Sequence, residues 1–147
     1  MSVSSGVFPC YENQFKIDTA ENGTASMQTI ADMESFSVSF DNGVEEWHPF
    51  EHEGWARRLL TAKSVTISVS GKRNIGDAGN DCVAGLWHKN GRDAEKDVDW
   101  TFPDGTVVHF ADAVINVTNI GSGDSTNVGP LEFEILSNGK PTVTPAA

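Results

Sequence analysis

Basic residues are scarce: ten lysines and arginines stand against 21 aspartates and glutamates, and the net charge is −11. Ordinary wrapping of nucleic acid, which neutralises phosphates with Lys and Arg, is disfavoured by that balance. Cysteine occurs twice, at Cys10 and Cys82, too few for a disulfide scaffold, and free thiols are expected. No apolar run approaches the roughly 18 residues that a membrane helix requires, so no membrane anchor is expected. The first ten residues, Met1-Ser-Val-Ser-Ser-Gly-Val-Phe-Pro-Cys10, have neither a basic start nor an apolar core. They do not read as a secretory signal, and folding in a cytoplasm is expected. The sequons at Asn22 and Asn116 carry no weight in that setting. Internal repeats are lacking as well.

What is present is strand patterning. Ser35-Phe-Ser-Val-Ser-Phe40 and Ser64-Val-Thr-Ile-Ser-Val-Ser70 alternate strictly between apolar and polar residues, as do Asp97-Val-Asp-Trp-Thr-Phe102 and Leu131-Glu-Phe-Glu-Ile135. Each is expected to turn one face to a core. Asn42-Gly43 signals a type I′ hairpin returning through Val44 to His48. Asp104-Gly105 and Asn138-Gly139 signal further turns, the first into Thr106 to Phe110 and a continuation over Ala113 to Thr118, the second into Pro141 to Thr144. One helix is expected at about residues 80–90, capped by Asp77 or Asn80 and ended by Asn90-Gly91, with Val83, Leu86 and Trp87 on its apolar face. A shorter helical turn is expected from Trp55 to Leu60. The fold class is therefore mainly β: an antiparallel β-sandwich or barrel with one flanking α-helix. A single domain spans 1–147, long enough to bury a sizeable core, with a flexible N-terminal arm over about 1–25 and a short C-terminal tail.

Catalytic signatures are weak. His48-Pro-Phe-Glu-His52 matches a metallopeptidase pattern that needs both histidines on one helical turn. Pro49 pushes His48 out of helical conformation, so the match reads as chance. Asp77-Ala-Gly-Asn-Asp81 lacks the ligand spacing of a calcium loop, and Gly71-Lys-Arg-Asn-Ile-Gly76 is no phosphate-binding loop. No nucleophile elbow occurs, and neither cysteine lies near a recognisable partner motif. No enzymatic activity, metal or cofactor is expected.

Charge is unevenly distributed: residues 1–56 sum to −9, residues 57–96 to +4 and residues 97–147 to −6. A mixed solvated surface accounts for this; so does head-to-tail association of a basic belt with an acidic surface.

Two late segments carry a likeness. Ser70-Gly-Lys-Arg-Asn-Ile-Gly-Asp-Ala-Gly-Asn-Asp-Cys-Val-Ala-Gly-Leu86 runs from a strand end through a Gly-Asp-rich turn into the helix. Gly121-Ser-Gly-Asp-Ser-Thr-Asn-Val-Gly-Pro-Leu-Glu-Phe-Glu-Ile-Leu-Ser-Asn-Gly-Lys-Pro-Thr142 leads a polar loop into a closing hairpin. With Asp41-Asn-Gly-Val-Glu-Glu-Trp47 and Gly54-Trp-Ala-Arg-Arg-Leu-Leu60, they resemble the tail tube (major tail) protein of long-tailed phages, over about residues 35–145. The order and spacing of the pieces carry the likeness. It implies a structural virion protein with the fold of the type VI secretion tube protein. Such a protein assembles into stacked hexameric rings in the bacterial host cytoplasm, and DNA passes through without specific binding. Its other implied partners are a tape measure and a tail terminator.

Within that resemblance, residues 45–62 are expected to form an interface loop that orders on assembly. Trp47, Phe50, Trp55, Arg57 and Arg58 are its inter-subunit candidates, joined by Lys72 and Arg73 at the strand end. A bore that must not hold its cargo needs acidic or neutral walls. Asp97 and Asp99, opposite Val98 and Trp100, and Glu132 and Glu134, opposite Phe133, are the lumen candidates. The competing account is that these acids face outer solvent. The rival function is a monomeric β-sandwich that binds carbohydrate, with Trp47, Trp55, Trp87 and Trp100 offering stacking surfaces.

Overall fold

A computed structural model describes residues 5–20 and 25–146. Among these residues eight antiparallel strands, β1 (Gln14–Asp18), β2 (Met27–Thr29), β3 (Met33–Trp47), β4 (Arg57–Lys72), β5 (Glu95–Thr101), β6 (Val107–Ile120), β7 (Pro130–Leu136) and β8 (Thr142–Thr144), form one sheet. Its order is β2-β1-β5-β6-β7-β4-β3, with β8 paired to β6 off that path. The sheet doubles over as a sandwich and does not close into a barrel. Phe15 of one half meets Phe36 of the other at 5.0 Å between ring centroids, and Phe36 meets Trp100 at 5.9 Å. Alternation decides what enters the core: Ile17, Val98, Ile67, Phe133 and Ile135 are all but fully buried, while their chain neighbours point away.

Several sequence expectations need correction. Asn42-Gly43 is no turn: neither residue has positive φ, which a type I′ turn demands at both. β3 runs straight through, pairing Asn42 with Lys63 and Gly43 with Ala62, and shifts register at Gly43/Val44. Gly43 serves a close approach instead, since a Cβ there would lie 2.9 Å from the Ala62 Cβ. The reversal comes at residues 48–56, where Glu53 (φ 51) and Gly54 (φ 92) supply the left-handed pair. Residues 57–60, expected as a helical turn, are strand because they pair with Val44–Trp47. Much of the 45–62 segment is thus a paired ribbon, and only its tip is loop. Part of the expected N-terminal arm belongs to the core. Gln14-Phe-Lys-Ile-Asp18 is a strand between β2 and β5 with Phe15 and Ile17 in the core; its alternation was too brief to stand out. Residues 1–4 and 21–24 of that expected arm lie outside the described residues.

The helix α1 (Ala78–Ala84) is capped by Asp77, whose carboxylate accepts from the Asn80 amide at 3.0 Å. It tightens into a 3-10 turn over Gly85–His88. Three residues per turn keep Leu86 above Val83 but rotate Trp87 off the stripe, so Val83 and Leu86 are buried and Trp87 is 64% exposed. Past Gly139 (φ 94), β8 leaves β7 and pairs Val143 with Val108 on β6.

Asn80, fully buried, ties these parts together. Its Nδ2 donates to the carbonyls of Ala31 and Lys72, both at 3.0 Å. Its Oδ1 accepts from the Asn74 amide at 3.0 Å and the Arg73 guanidinium at 2.9 Å. All four hydrogen-bonding positions of the side-chain amide are filled. Asn80→Ala strands these buried groups and is expected to cost about 3 kcal/mol. The check is the urea midpoint at unchanged m-value, with the exposed Asn90→Ala expected within about 0.5 kcal/mol of wild type.

Candidate assembly surfaces

The layer β3-β4-β7, continued by β6 beyond Val114, has two unlike faces. Cross-strand register sets Phe36, Val69, Phe133 and Val117 in one row and Val38, Ile67, Ile135 and Ile115 in the next, both inward. The alternate rows hold Ser35, Ser70, Glu132 and Asn119, then Ser37, Ser68, Glu134 and Asn116. These are small polar groups with two carboxylates and no base. Asn119 donates to Glu132 at 2.7 Å, Asn116 donates to Glu134 at 2.9 Å, and the hydroxyls of Ser35 and Ser70 lie 2.8 Å apart. Lys72, at the end of this face, is ion-paired to Glu34 at 3.1 Å. Among the described residues, β3 has a hydrogen-bonded strand on one side only, and beyond Val114 so does β6. The polar layer therefore ends in an open edge on each side.

Asp97 and Asp99 lie on the outward side of the other layer. Asp99 stands between Lys16 of β1 and His109 of β6 in the strand register. Its carboxylate meets His109 Nδ1 at 2.5 Å, and the Asp97 carboxylate lies 3.5 Å from Nε2. Asp97 also accepts from the Asp112 amide at 2.9 Å, where Asp112 takes a left-handed φ of 51°. The two acid pairs proposed for one role thus point in opposite directions across the sandwich.

Residues Phe40 to Leu60 project from the core as an exposed arm. Past the register shift, Glu46 and Arg58 form a bridge of 3.1 Å on one side of the ribbon. On the other, the Arg57 guanidinium sits 5.5 Å over the Trp47 ring. Phe50 is wholly exposed and Trp55 is 78% exposed at the tip. Arg73 is held within the chain: besides Asn80, it bonds Asp81 at 2.7 Å. The Arg73 guanidinium, and next the Gly76 amide, hold the Asp81 carboxyl below the usual carboxylate range. Of the seven interface candidates, Trp47, Phe50, Trp55, Arg57 and Arg58 share the arm, whereas Lys72 and Arg73 sit at the far end of β4. The tryptophans do not gather: Trp47 and Trp55 flank the tip, Trp87 abuts His88 on the 3-10 turn, and Trp100 stacks on Phe15 at 5.8 Å. His48 lies past the end of β3 and His52 on a 3-10 turn begun after Pro49, so no helix presents the pair to one metal.

The hydrogen bond that Asp99 accepts from the ring, then the charges of Asp99 and Asp97, raise the His109 pKa above 6.5 against the opposing effect of burial. A raised folded-state pKa contributes stability that is complete below about 6.5 and lost as pH rises through the folded value. The melting-temperature difference between wild type and His109→Gln is therefore expected to be largest at pH 5.5–6 and to shrink towards pH 8.5. A flat difference across that range would show that the clasp stores no proton-linked stability.

No family model matches the chain, and no curated protein matches it by sequence. Solved structures do. A chain from the tail of an empty gene transfer agent particle, refined helically with C6 symmetry, superposes with a TM-score of 0.73 at 19% identity, over 95% of this chain and all of that one. A chain from the sheath–tube complex of an extracellular contractile injection system gives 0.64 at 13% identity, covering 97% of this chain and 95% of that one. The tube-terminating cap of the anti-feeding prophage gives 0.60 at 13%, covering 99% of this chain and 95% of that one. The fold of this chain is that of tail tube proteins.

Proposed function

We propose that the chain is a structural, non-enzymatic tube subunit that assembles with itself into stacked hexameric rings around a bore conducting DNA. The observation that carries this reading is the polar layer: a Ser/Asn/Glu face whose two rows hold no base, bounded by two open strand edges. An open edge on each side makes a heterologous contact, the β3 edge of one copy beside the β6 edge of the next, and such contacts close into a ring when the rotation permits. The inner wall is then the polar face, and its carboxylates repel phosphate. The likeness to the tail of a particle with C6 symmetry supports six subunits. The setting is a particle tail assembled in a host cytoplasm, with a tape measure and a terminator as further partners.

Glu132 and Glu134 are the lumenal pair on this reading. Asp97 and Asp99 are directed away from that face and are paired with His109. Electron microscopy of the purified protein is expected to show rings or tubes. Tubes carrying Glu132→Lys and Glu134→Lys are expected to retain DNA in a salt-sensitive way, whereas Asp97→Lys with Asp99→Lys leaves retention unchanged. Uniform monomers at high concentration would overturn the assembly reading; DNA retention by the aspartate variant alone would reverse the assignment of the wall.

A further inference from the structure

The arm has two apolar features without a cover in the chain. One is its tip, with Phe50 and Trp55. The other is a groove of about 590 Å³ at its root, where Phe40, Leu60 and Val65 face Pro141 and Val143 of the C-terminal turn. Phe40, Leu60 and Val143 are all exposed there. The charges around the two features are opposite. Lys63 and Lys140 line the groove and no acidic side chain does. Glu51 and Glu53 flank the aromatics of the tip. Among the described residues none of these four charges has an ion-pair partner, unlike Glu46 and Arg58 between them.

A chain cannot satisfy its own groove. From Asn42 opposite Lys63 to Trp47 opposite Arg57 the ribbon is paired, apart from one register shift. Five residues of strand span roughly 17 Å, and a paired ribbon does not fold back over that length. We propose that the acidic aromatic tip of one copy, residues 48–56, docks in the basic apolar groove at the arm root of a second copy. The contact is heterologous, so it propagates from copy to copy. It buries two aromatic anchors with a rim of opposite charge, the usual anatomy of an energetic centre. The inference rests on the assembly reading above and names the partner surface for the arm.

The test is a charge exchange in the full chain. Lys63→Glu with Lys140→Glu, and separately Glu51→Lys with Glu53→Lys, are expected to lower the sedimenting, assembled fraction at least tenfold. All four positions are exposed, so the β-type circular dichroism and melting of the monomer stay as in wild type. The fourfold variant restores opposite charges across the contact and is expected to recover assembly. If both double variants assemble as wild type does, or if the fourfold variant is no better than either, the tip does not dock in this groove. Wild-type rings with failed rescue overturn this contact alone; absence of wild-type rings overturns the assembly reading and the contact with it.

Discussion

One buried amide organises the domain. Asn80 gathers the end of β4, the link between β2 and β3 and the start of α1 into a single knot. The knot leaves no room for side chains on its glycines. A Cβ at Gly79 would lie 2.4 Å from the Thr29 carbonyl, and one at Gly71 would lie 2.2 Å from that of Asp32. The Gly71-Lys-Arg-Asn stretch and the Gly-Asn step that opens the helix are therefore one structural unit. Each glycine permits a backbone approach that lets Asn80 reach carbonyls on two different segments. Arg73 joins from the side, and Asp32 completes the unit by accepting from the Asn74 side chain at 2.6 Å. The knot fixes where β3 begins, and so the register in which the long ribbon leaves the core.

From there, alternation does the sorting. Once Val69 and Ile67 are inward, Ser70, Ser68, Glu132 and Glu134 must share the opposite face, because a strand has a period of two. Register, more than composition, turns a dispersed set of serines and glutamates into a continuous polar wall. The same rule places Asp97 and Asp99 outward on the other layer, where a sandwich makes outward mean the reverse direction. A charge of −11 is thus partitioned. One part lies on the small-polar wall, and another is coupled to His109. Self-repulsion between like faces is then lowest when copies meet edge to edge.

Strand identity was legible where three apolar residues alternated with polar ones: Val65, Ile67 and Val69 on β4, and Leu131, Phe133 and Ile135 on β7, all face inward as their spacing implies. The misses have a common cause. Asn42-Gly43 has the residues of a turn, but the apolar pairing of Val44 with Leu60 beyond it favours a longer ribbon, and the glycine is used for contact with Ala62. Trp87 obeys helical spacing until the helix tightens, a change no local propensity announces. Ile17 lies in a strand of five residues, and its burial depends on β5, about 80 residues away in sequence. The candidate surfaces divide likewise. The arm was legible from its density of aromatic residues and arginine, whereas the placement of Asp97 and Asp99 on the face opposite Glu132 and Glu134 required knowledge of how the layers fold over.

The arm poses the sharpest energetic question, because its aromatics gain nothing from the core. Exposed aromatic surface costs on the order of 25 cal/mol per Å² relative to burial, and single chains rarely keep such patches without a partner. Yet the ribbon is built to stay straight rather than collapse. Eight cross-strand pairs with β4, from Phe40 with Val65 to Trp47 with Arg57, run its length, the Glu46–Arg58 bridge holds one side, and Arg57 over Trp47 holds the other. A hairpin rigid before contact loses little conformational entropy on docking, so more of the burial energy of Phe50 and Trp55 remains for association. A flexible loop of the same composition would lose more by ordering on contact and would be free to fold its aromatics back on itself. The bulge at Gly43 adds twist at the point where the ribbon leaves the core and so sets its direction. In the assembly proposed above, rigidity and direction together let a contact made at the far end of one subunit define the position of the next, which is the mechanical requirement of a tube with a constant bore.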